Sequence, residues 1–308
     1  MNWFSIFSDP NTQWILMGSM LLGLSSGVIG SFAYLRKQSL MGDALSHAAL
    51  PGICIAFMVT GTKSIFFFLI GAIIAGILAT VFISYITRNS RIKQDSALGI
   101  ILTVFFGVGI VLLTQIQHSN SGNQSGLDKF LFGHAASLIQ TDVYTIAGIS
   151  VFLVAISFLF FKEFKLLSFD PDFAKGIGLP TLLLDQFIMM LIVTAVVIGI
   201  QAVGVVLMAA LLITPAVAAR YWTEKLHVMV IVAGLFGALS GFAGTVISTM
   251  ANNLPTGPLI VLSATVLFVG SIVFAPYRGV LAKSRLRLSA KNEYKNCFTN
   301  QRVKEKSL

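Results

Sequence analysis

From Gln186 to Ala219 the chain reads QFIMMLIVTAVVIGIQAVGVVLMAALLITPAVAA, 34 residues without a charge. As one helix, at 1.5 Å per residue, this stretch would be about 51 Å long, against a bilayer core of about 30 Å. Gly199 and Gly204 flank Gln201 near its middle. The stretch therefore reads as two spans folded back on each other, near Thr181–Ile200 and Val203–Ala219. The flanking sequence sorts in the same way. Five apolar stretches precede it: Trp14–Leu35, Ala44–Thr62, Ser64–Thr87, Ser96–Gln117 and Val143–Phe161. Two follow, Val228–Met250 and Leu259–Ala275, parted by the turn-forming run Asn252-Asn253-Leu254-Pro255-Thr256-Gly257-Pro258.

Composition agrees with a membrane protein. Of 308 residues, 56% are apolar and only 11% are charged, where soluble domains carry roughly 25%. The mean hydropathy is +0.87. In hydrocarbon each backbone must satisfy its own hydrogen bonds, so the expected fold is all-α, a polytopic transmembrane helical bundle. Nine spans are expected, or eight if one stretch is re-entrant or interfacial. Basic residues recur on alternate loops: Arg36-Lys37, Arg88/Arg91/Lys93, Lys162/Lys165/Lys175, Arg220/Lys225 and the tail. Lysine and arginine favour the cytoplasmic side, which puts the N-terminus outside and the C-terminus inside, with Lys63 and Lys129 out of place. The predicted organisation is a transmembrane domain over 1–277 and a basic cytoplasmic tail over 278–308.

The net charge of +9 is not a nucleic-acid signal. The tail from Arg278 holds nine Lys/Arg against Glu293 and Glu305, which reads as a juxtamembrane segment in contact with anionic lipid. Cys54 and Cys297 are too few, and too differently placed, for a disulfide or a thiolate metal site. No Lys or Arg precedes Arg36, so the basic start of a cleaved signal peptide is lacking.

Ionisable residues inside a membrane are costly and are functional candidates by default. Asp43 and His47 stand four apart, on one face of a helix, with a carboxylate and an imidazole placed to share a divalent ion. One oxygen and one nitrogen donor, with no thiolate, suit Mn(II), Fe(II) or Zn(II) better than Cu(I). The bland alternative has Asp43 capping the second helix and His47 as a buried, hydrogen-bonded core histidine. Two donors are too few for a divalent ion, so the rest would come from another helix, a second subunit or water. Pro51 releases the carbonyl of residue 47, and Gly52 allows close approach of another helix. Pro215 does the same for Leu211 and bends the seventh span, as a hinge or as packing.

Other candidates read as structural. Asp95 is expected to cap the fourth span, Asp185 to lie at the cytoplasmic interface, and His118, His134 and His227 to be solvated or structural. Gly23/Gly27, and Gly234, Gly237, Gly241 and Gly244, mark faces for close helix packing. Asp170-Pro171 is a helix start, closed by Gly178 and Pro180, giving a short amphipathic helix at the membrane face over about 168–180. Gly61-Thr62-Lys63-Ser64 lacks the glycine a phosphate-binding loop requires before its lysine, and no H-E-x-x-H is present. The chain is expected not to be an enzyme and to hold no permanent cofactor.

At these residues the sequence resembles a family. Leu40-Met41-Gly42-Asp43-Ala44-Leu45-Ser46-His47-Ala48-Ala49-Leu50-Pro51-Gly52 looks like the signature of the permease subunits of manganese/zinc/iron ABC importers. Ser168 to Gly178, containing Asp170, Pro171, Asp172, Phe173, Ala174, Lys175 and Gly176, resembles that family's cytoplasmic coupling helix. Gly126–Gly133 and Leu207–Arg220 fit as well, and the likeness runs from about Trp14 to Pro276. The resemblance implies a type II ABC importer-like bundle in the bacterial cell membrane. It implies a homodimer, two ATP-binding subunits docked at the coupling helix, and an extracellular lipoprotein that delivers the metal. It implies Mn(II) or Zn(II) as transported substrate, held by Asp43 and His47; the Gly126–Gly133 wording is most like the manganese branch. A secondary transporter or channel with Asp43 and Asp185 as relays is the rival reading, and a membrane enzyme is the second rival.

Overall fold

The structure is a computed structural model, and it describes residues 10–61, 65–118, 140–250, 254–276 and 279–282. The Gly126–Gly133 segment, His134, Lys63, Lys129, Asn252-Asn253, Cys297 and all of the basic tail beyond residues 279–282 lie outside the described residues. Every element among the described residues is a helix: α1 Pro10–Leu35, α2 Met41–Thr60, α3 Ile65–Asn89, α4 Gln94–His118, α5 Gln140–Leu159, α6 Phe161–Phe169, α7 Pro171–Gly176, α8 Thr181–Val203, α9 Val205–Trp222, α10 Leu226–Met250 and α11 Thr256–Phe274. Eight of them are long and apolar enough to cross a membrane, and α9 is a shorter apolar helix. Large side chains such as Ile74, Val111, Phe152, Leu183 and Val266 point outward. That is unremarkable on a surface facing hydrocarbon, where apolar exposure carries no penalty.

The uncharged 34-residue stretch breaks where two glycines allow it. Gly204 sits at φ 92, between α8 and α9, a backbone conformation that costs little without a Cβ. The chain then doubles back. Val203 lies against Gly257 at the start of α11, and Trp222, at the far end of α9, donates to Ser271 Oγ at 3.0 Å near the end of α11. α9 thus runs beside α11 in the same direction and over much the same length, despite being only 18 residues long.

The other helices alternate in direction. Gly23 meets Gly237 and Gly27 meets Ala233, so α1 and α10 are antiparallel. Trp14 packs on Tyr144 with centroids 5.5 Å apart, and Ser25 shares a 3.2 Å hydrogen bond with Ser150, so α5 runs with α1. Gln186 donates to Ser84 at 3.0 Å and Val193 lies against Gly76, so α8 runs against α3. The first and last described helices therefore leave α1's start and α11's end at opposite faces of the bundle.

Glycine sets the closest approaches. A Cβ at Gly23, Gly27, Gly237 or Gly241 would overlap a backbone oxygen of the facing helix, and beside Gly241 the Ser19 and Thr245 hydroxyls pair at 2.7 Å. Gly244 departs from the expected face: it looks at Ile260 of α11 instead of at α1. Because α10 is wedged between two partners, one stripe of small residues serves α1 and the next turn serves α11. Pro51 and Pro215 both lie inside helices that continue past them.

A Gly237→Val change forces α1 and α10 apart and should cost about 1–3 kcal/mol or more, as overpacking does. The thermal midpoint of the detergent-solubilised protein should fall clearly. Gly270→Ala, whose added carbon meets open space, should leave that midpoint in place.

Candidate metal site and membrane-face helix

α2 begins earlier than the sequence suggested. Met41 N donates to Gln38 O and Ala44 N to Leu40 O, so the helix starts at Met41, and the capping position falls to Leu40, which makes no side-chain cap. Asp43 is therefore not a cap. It stands in the first turn, where a carboxylate is favoured by the helix dipole. Asp95 likewise sits in the first turn of α4 and not ahead of it.

One turn further on, His47 Nε2 lies 3.5 Å from Asp43 Oδ1. That is long for a hydrogen bond. It suits two neighbouring ligands of one ion: metal–ligand distances of about 2.0–2.2 Å at tetrahedral or right angles put donors roughly 3.0–3.5 Å apart. The His47 side chain is 18% exposed and that of Asp43 44%, so the pair is open on the carboxylate side. His47 packs edge-to-face on Phe106 of α4, with ring centroids 4.8 Å apart and planes at 81°. Its Nδ1 is enclosed and has no hydrogen-bond partner among the described residues, where the bland alternative had a hydrogen-bonded core histidine. Among the described residues no group of three His, Cys, Asp or Glu side chains comes together.

The depth of this pair follows from its neighbours. Phe106 is the middle residue of the 25-residue α4. Gly42 lies against Ala209 and Leu212, well inside α9. Although Asp43 and His47 occupy the first two turns of their own helix, His47 is level with the middle of α4, and Asp43 lies one turn nearer the start of α2. Gly52 fits where expected: its missing side chain lets α2 touch α3 at Gly71.

The turn that feeds α2 carries a second charged pair, which the sequence did not announce. The Arg36 guanidinium donates to Asp185 Oδ1 of α8, with side chains 13% and 23% exposed. Asp185 is thus an ion-pair partner tying α8 to the end of α1. Two further enclosed atoms nearby in sequence, Arg36 Nη1 and Gln38 Oε1, lack partners. Lys37, between them, adopts a left-handed φ of 58. No local signal links residues 36 and 185; only their isolation as charges beside apolar runs hints at pairing.

At the bundle face, Asp170 caps α7 as the sequence predicts, its Oδ1 accepting from Phe173 N at 2.9 Å, with Pro171 in the first turn. Gly178 follows at φ 84. Leu179 N returns to Ala174 O. The segment before it is not a loop. Phe161–Phe169 forms α6, whose Phe164 and Leu167 face inward. Lys162 and Lys165 are exposed on it. Phe164 meets Phe32 of α1 at 5.5 Å and Phe187 of α8 at 6.0 Å. Ala174 is buried, while Phe169, Phe173 and Ile177 are each just over half exposed. Asp172, Lys175 and Gly176 are also exposed. His118 is exposed at the end of α4, its Nδ1 2.8 Å from Thr114 O, and His227 is exposed in the first turn of α10.

Comparison with known proteins gives a consistent result. Residues 8–275 match the family described as the ABC 3 transport family. The manganese transport system membrane protein MntC of Bacillus subtilis is 59% identical over 275 residues, covering 89% of this chain but only 63% of that protein's length. The zinc transport system membrane protein TroC of Treponema pallidum is 49% identical over 276 residues, covering 90% of this chain and 93% of the relative. Among solved structures, PsaBC from Streptococcus pneumoniae in complex with Fab aligns with a TM-score of 0.78 at 34% identity, over 89% of this chain and 95% of that one.

The Arg36–Asp185 pair yields a direct test. Arg36→Met strands a carboxylate in the bundle and should destabilise by about 3 kcal/mol, the scale for a buried charge left alone. Arg36→Met with Asp185→Leu removes both charges and should recover most of that loss. Thermal unfolding of the two variants and of Asp185→Leu alone closes the cycle.

Proposed function

The chain belongs to the ABC 3 transport family, and on that premise we propose that it is the membrane-spanning subunit of an ATP-driven importer carrying Mn(II), with Zn(II) the second candidate. It is a multi-pass protein of the bacterial plasma membrane and a transport subunit, not an enzyme. The preference for manganese rests on the higher identity to a manganese system than to a zinc system. The donor set of Asp43 and His47 is compatible with either ion.

The observation that carries the site is the 3.5 Å separation of Asp43 Oδ1 and His47 Nε2 near mid-bundle. The ion is cargo, and the pair holds it briefly. Waters and a second copy of the chain complete its shell; a charged side chain that is 44% exposed at this depth is costly against lipid and calls for a polar cavity. Nine crossings, with the basic tail inside, account for the alternation of helix directions, for the course of α9 and for the basic loops. Pro51 and Pro215 are the bending points, and Gly52 is a packing contact.

Two ATP-binding subunits dock on the face that carries α7. The exposed side chains of Phe169, Phe173 and Ile177 supply apolar anchors, and Asp170, Pro171 and Gly178 fix the shape that presents them. Closure of the ATPase pair pushes on α7 and switches the bundle between outward and inward packings. A metal-binding lipoprotein delivers the ion at the opposite face. The residues over 1–277 form the permease domain, and the tail over 278–308 lies against anionic lipid.

Asp43→Ala and His47→Ala, at normal membrane abundance, should each lower metal uptake by about tenfold or more, since even outer-shell changes at metal sites cost that much. Uptake at the wild-type rate in both would end the ligand assignment. Phe173→Ala should leave the chain folded but lower the yield of ATPase subunit co-purifying with it, and with it uptake. Uptake that follows a proton gradient and needs no ATPase would favour the secondary-transporter reading instead.

A further inference from the structure

A histidine that ligates a metal is ordinarily oriented by a second hydrogen bond, from its other ring nitrogen to a carboxylate, a carbonyl or water. His47 has none among the described residues: Nδ1 is enclosed and unpartnered there. What holds the ring is Phe106, packed perpendicular to it with centroids 4.8 Å apart.

Phe106 is itself held in place. One turn along α4, Gly109 lies against Leu50 of α2, close enough that a Cβ there would sit 2.9 Å from Leu50 Cδ2. Cys54 Sγ donates to Gly109 O at 3.8 Å. These contacts lock the register of α4 against α2, and Phe106 and Gly109, three apart, face the same neighbour.

We propose that Phe106 is the positioning residue of the metal site, fixing the rotation of the His47 imidazole so that Nε2 faces Asp43. The inference rests on the reading of Asp43 and His47 as ligands. A phenyl ring can set orientation but accepts no proton and donates no charge, so it directs the ligand without raising its basicity. The site is thereby aligned yet weak, as release of a cargo ion requires.

The test uses the complete transporter, chain and ATPase subunits together, in membrane vesicles, with initial rates of radiolabelled Mn(II) uptake over a range of concentrations. Phe106→Leu keeps an apolar side chain but loses the flat ring. It should raise the KM for Mn(II) about tenfold while the maximal rate stays within twofold. Phe106→Tyr keeps the ring and should restore the KM to within twofold of wild type. A role in packing alone would lower abundance or maximal rate instead, and would not separate leucine from tyrosine in KM. If Phe106→Leu fails to accumulate, Phe106→Met supplies the flexible apolar replacement, with the same two outcomes. His47→Ala runs alongside. Wild-type uptake by His47→Ala overturns the ligand reading itself. Loss of uptake there, with an unchanged KM in the Phe106→Leu or Phe106→Met protein, overturns the role of Phe106 alone.

Discussion

A polar atom buried in this bundle has no bulk water to turn to, and the sequence is arranged around that constraint. The hydroxyls within the helices mostly bend back to a carbonyl one turn earlier: Ser46 to Gly42 at 2.6 Å, Thr80 to Gly76 at 2.8 Å, Ser157 to Leu153 at 2.7 Å. Others pair across helices, as Ser19 does with Thr245. Such groups make small contact points without stranding a donor. Against that background the exceptions carry information. Four enclosed side-chain atoms among the described residues lack partners, belonging to Arg36, Gln38, His47 and Glu163. Three of the four residues flank or form the start of α2.

The consequence is that α2 is unusual at its beginning. α2 starts nearly two turns before His47, directly after a turn pinned by the Arg36–Asp185 pair and by Lys37 in its left-handed conformation. That start sets an acidic first turn one helical turn before a histidine that faces the middle of α4. It also places them within a few residues of an ion pair that joins α1 to α8. The aromatic cluster of Phe32, Phe160, Phe161, Phe164 and Phe187 packs the same two helices against α6, which leads directly into α7. The face that carries α7 and the turn that carries Asp43 are thus connected through two packed helices.

Much of this was legible in the sequence because the signals were local. Glycine spacing marked the close-packing faces of α1 and α10, since close approach depends on what side chains are missing, but not that the two faces meet each other. The Asp170-Pro171 start was readable because a cap and its first turn are neighbours in the chain. The length of the uncharged 34-residue stretch required a break near Gly204. What could not be read depends on distant residues. Arg36 and Asp185 are far apart in sequence and meet only because α1 and α8 pack together. Asp43 resembled a cap because it directly precedes the apolar run that begins at Ala44, yet the turn from Gln38 had already started the helix. Phe106 is one apolar residue in an apolar run, and nothing in its surroundings marks it until α4 is laid against α2. Gly244 belonged to a glycine stripe by spacing, but which helix it faces was decided by α11.

The small number of donors at Asp43 and His47 distinguishes between kinds of metal site. A resident structural zinc takes four protein ligands in a closed site, and a catalytic one takes three and keeps a position open for water or substrate. On the reading proposed for this chain, two donors near mid-bundle, one enclosed by an aromatic ring and the other nearly half exposed, make a site that an ion can enter and leave with part of its water shell in place. A third strong protein ligand would deepen the well and slow departure. Binding that is equally strong in both packings of the bundle does not drive transport; what matters is the difference between them. A pair whose geometry rests on the packing of α4 against α2, and not on a fixed network of hydrogen bonds, is free to differ between the two states, because a small shift between those helices turns the imidazole away from the carboxylate.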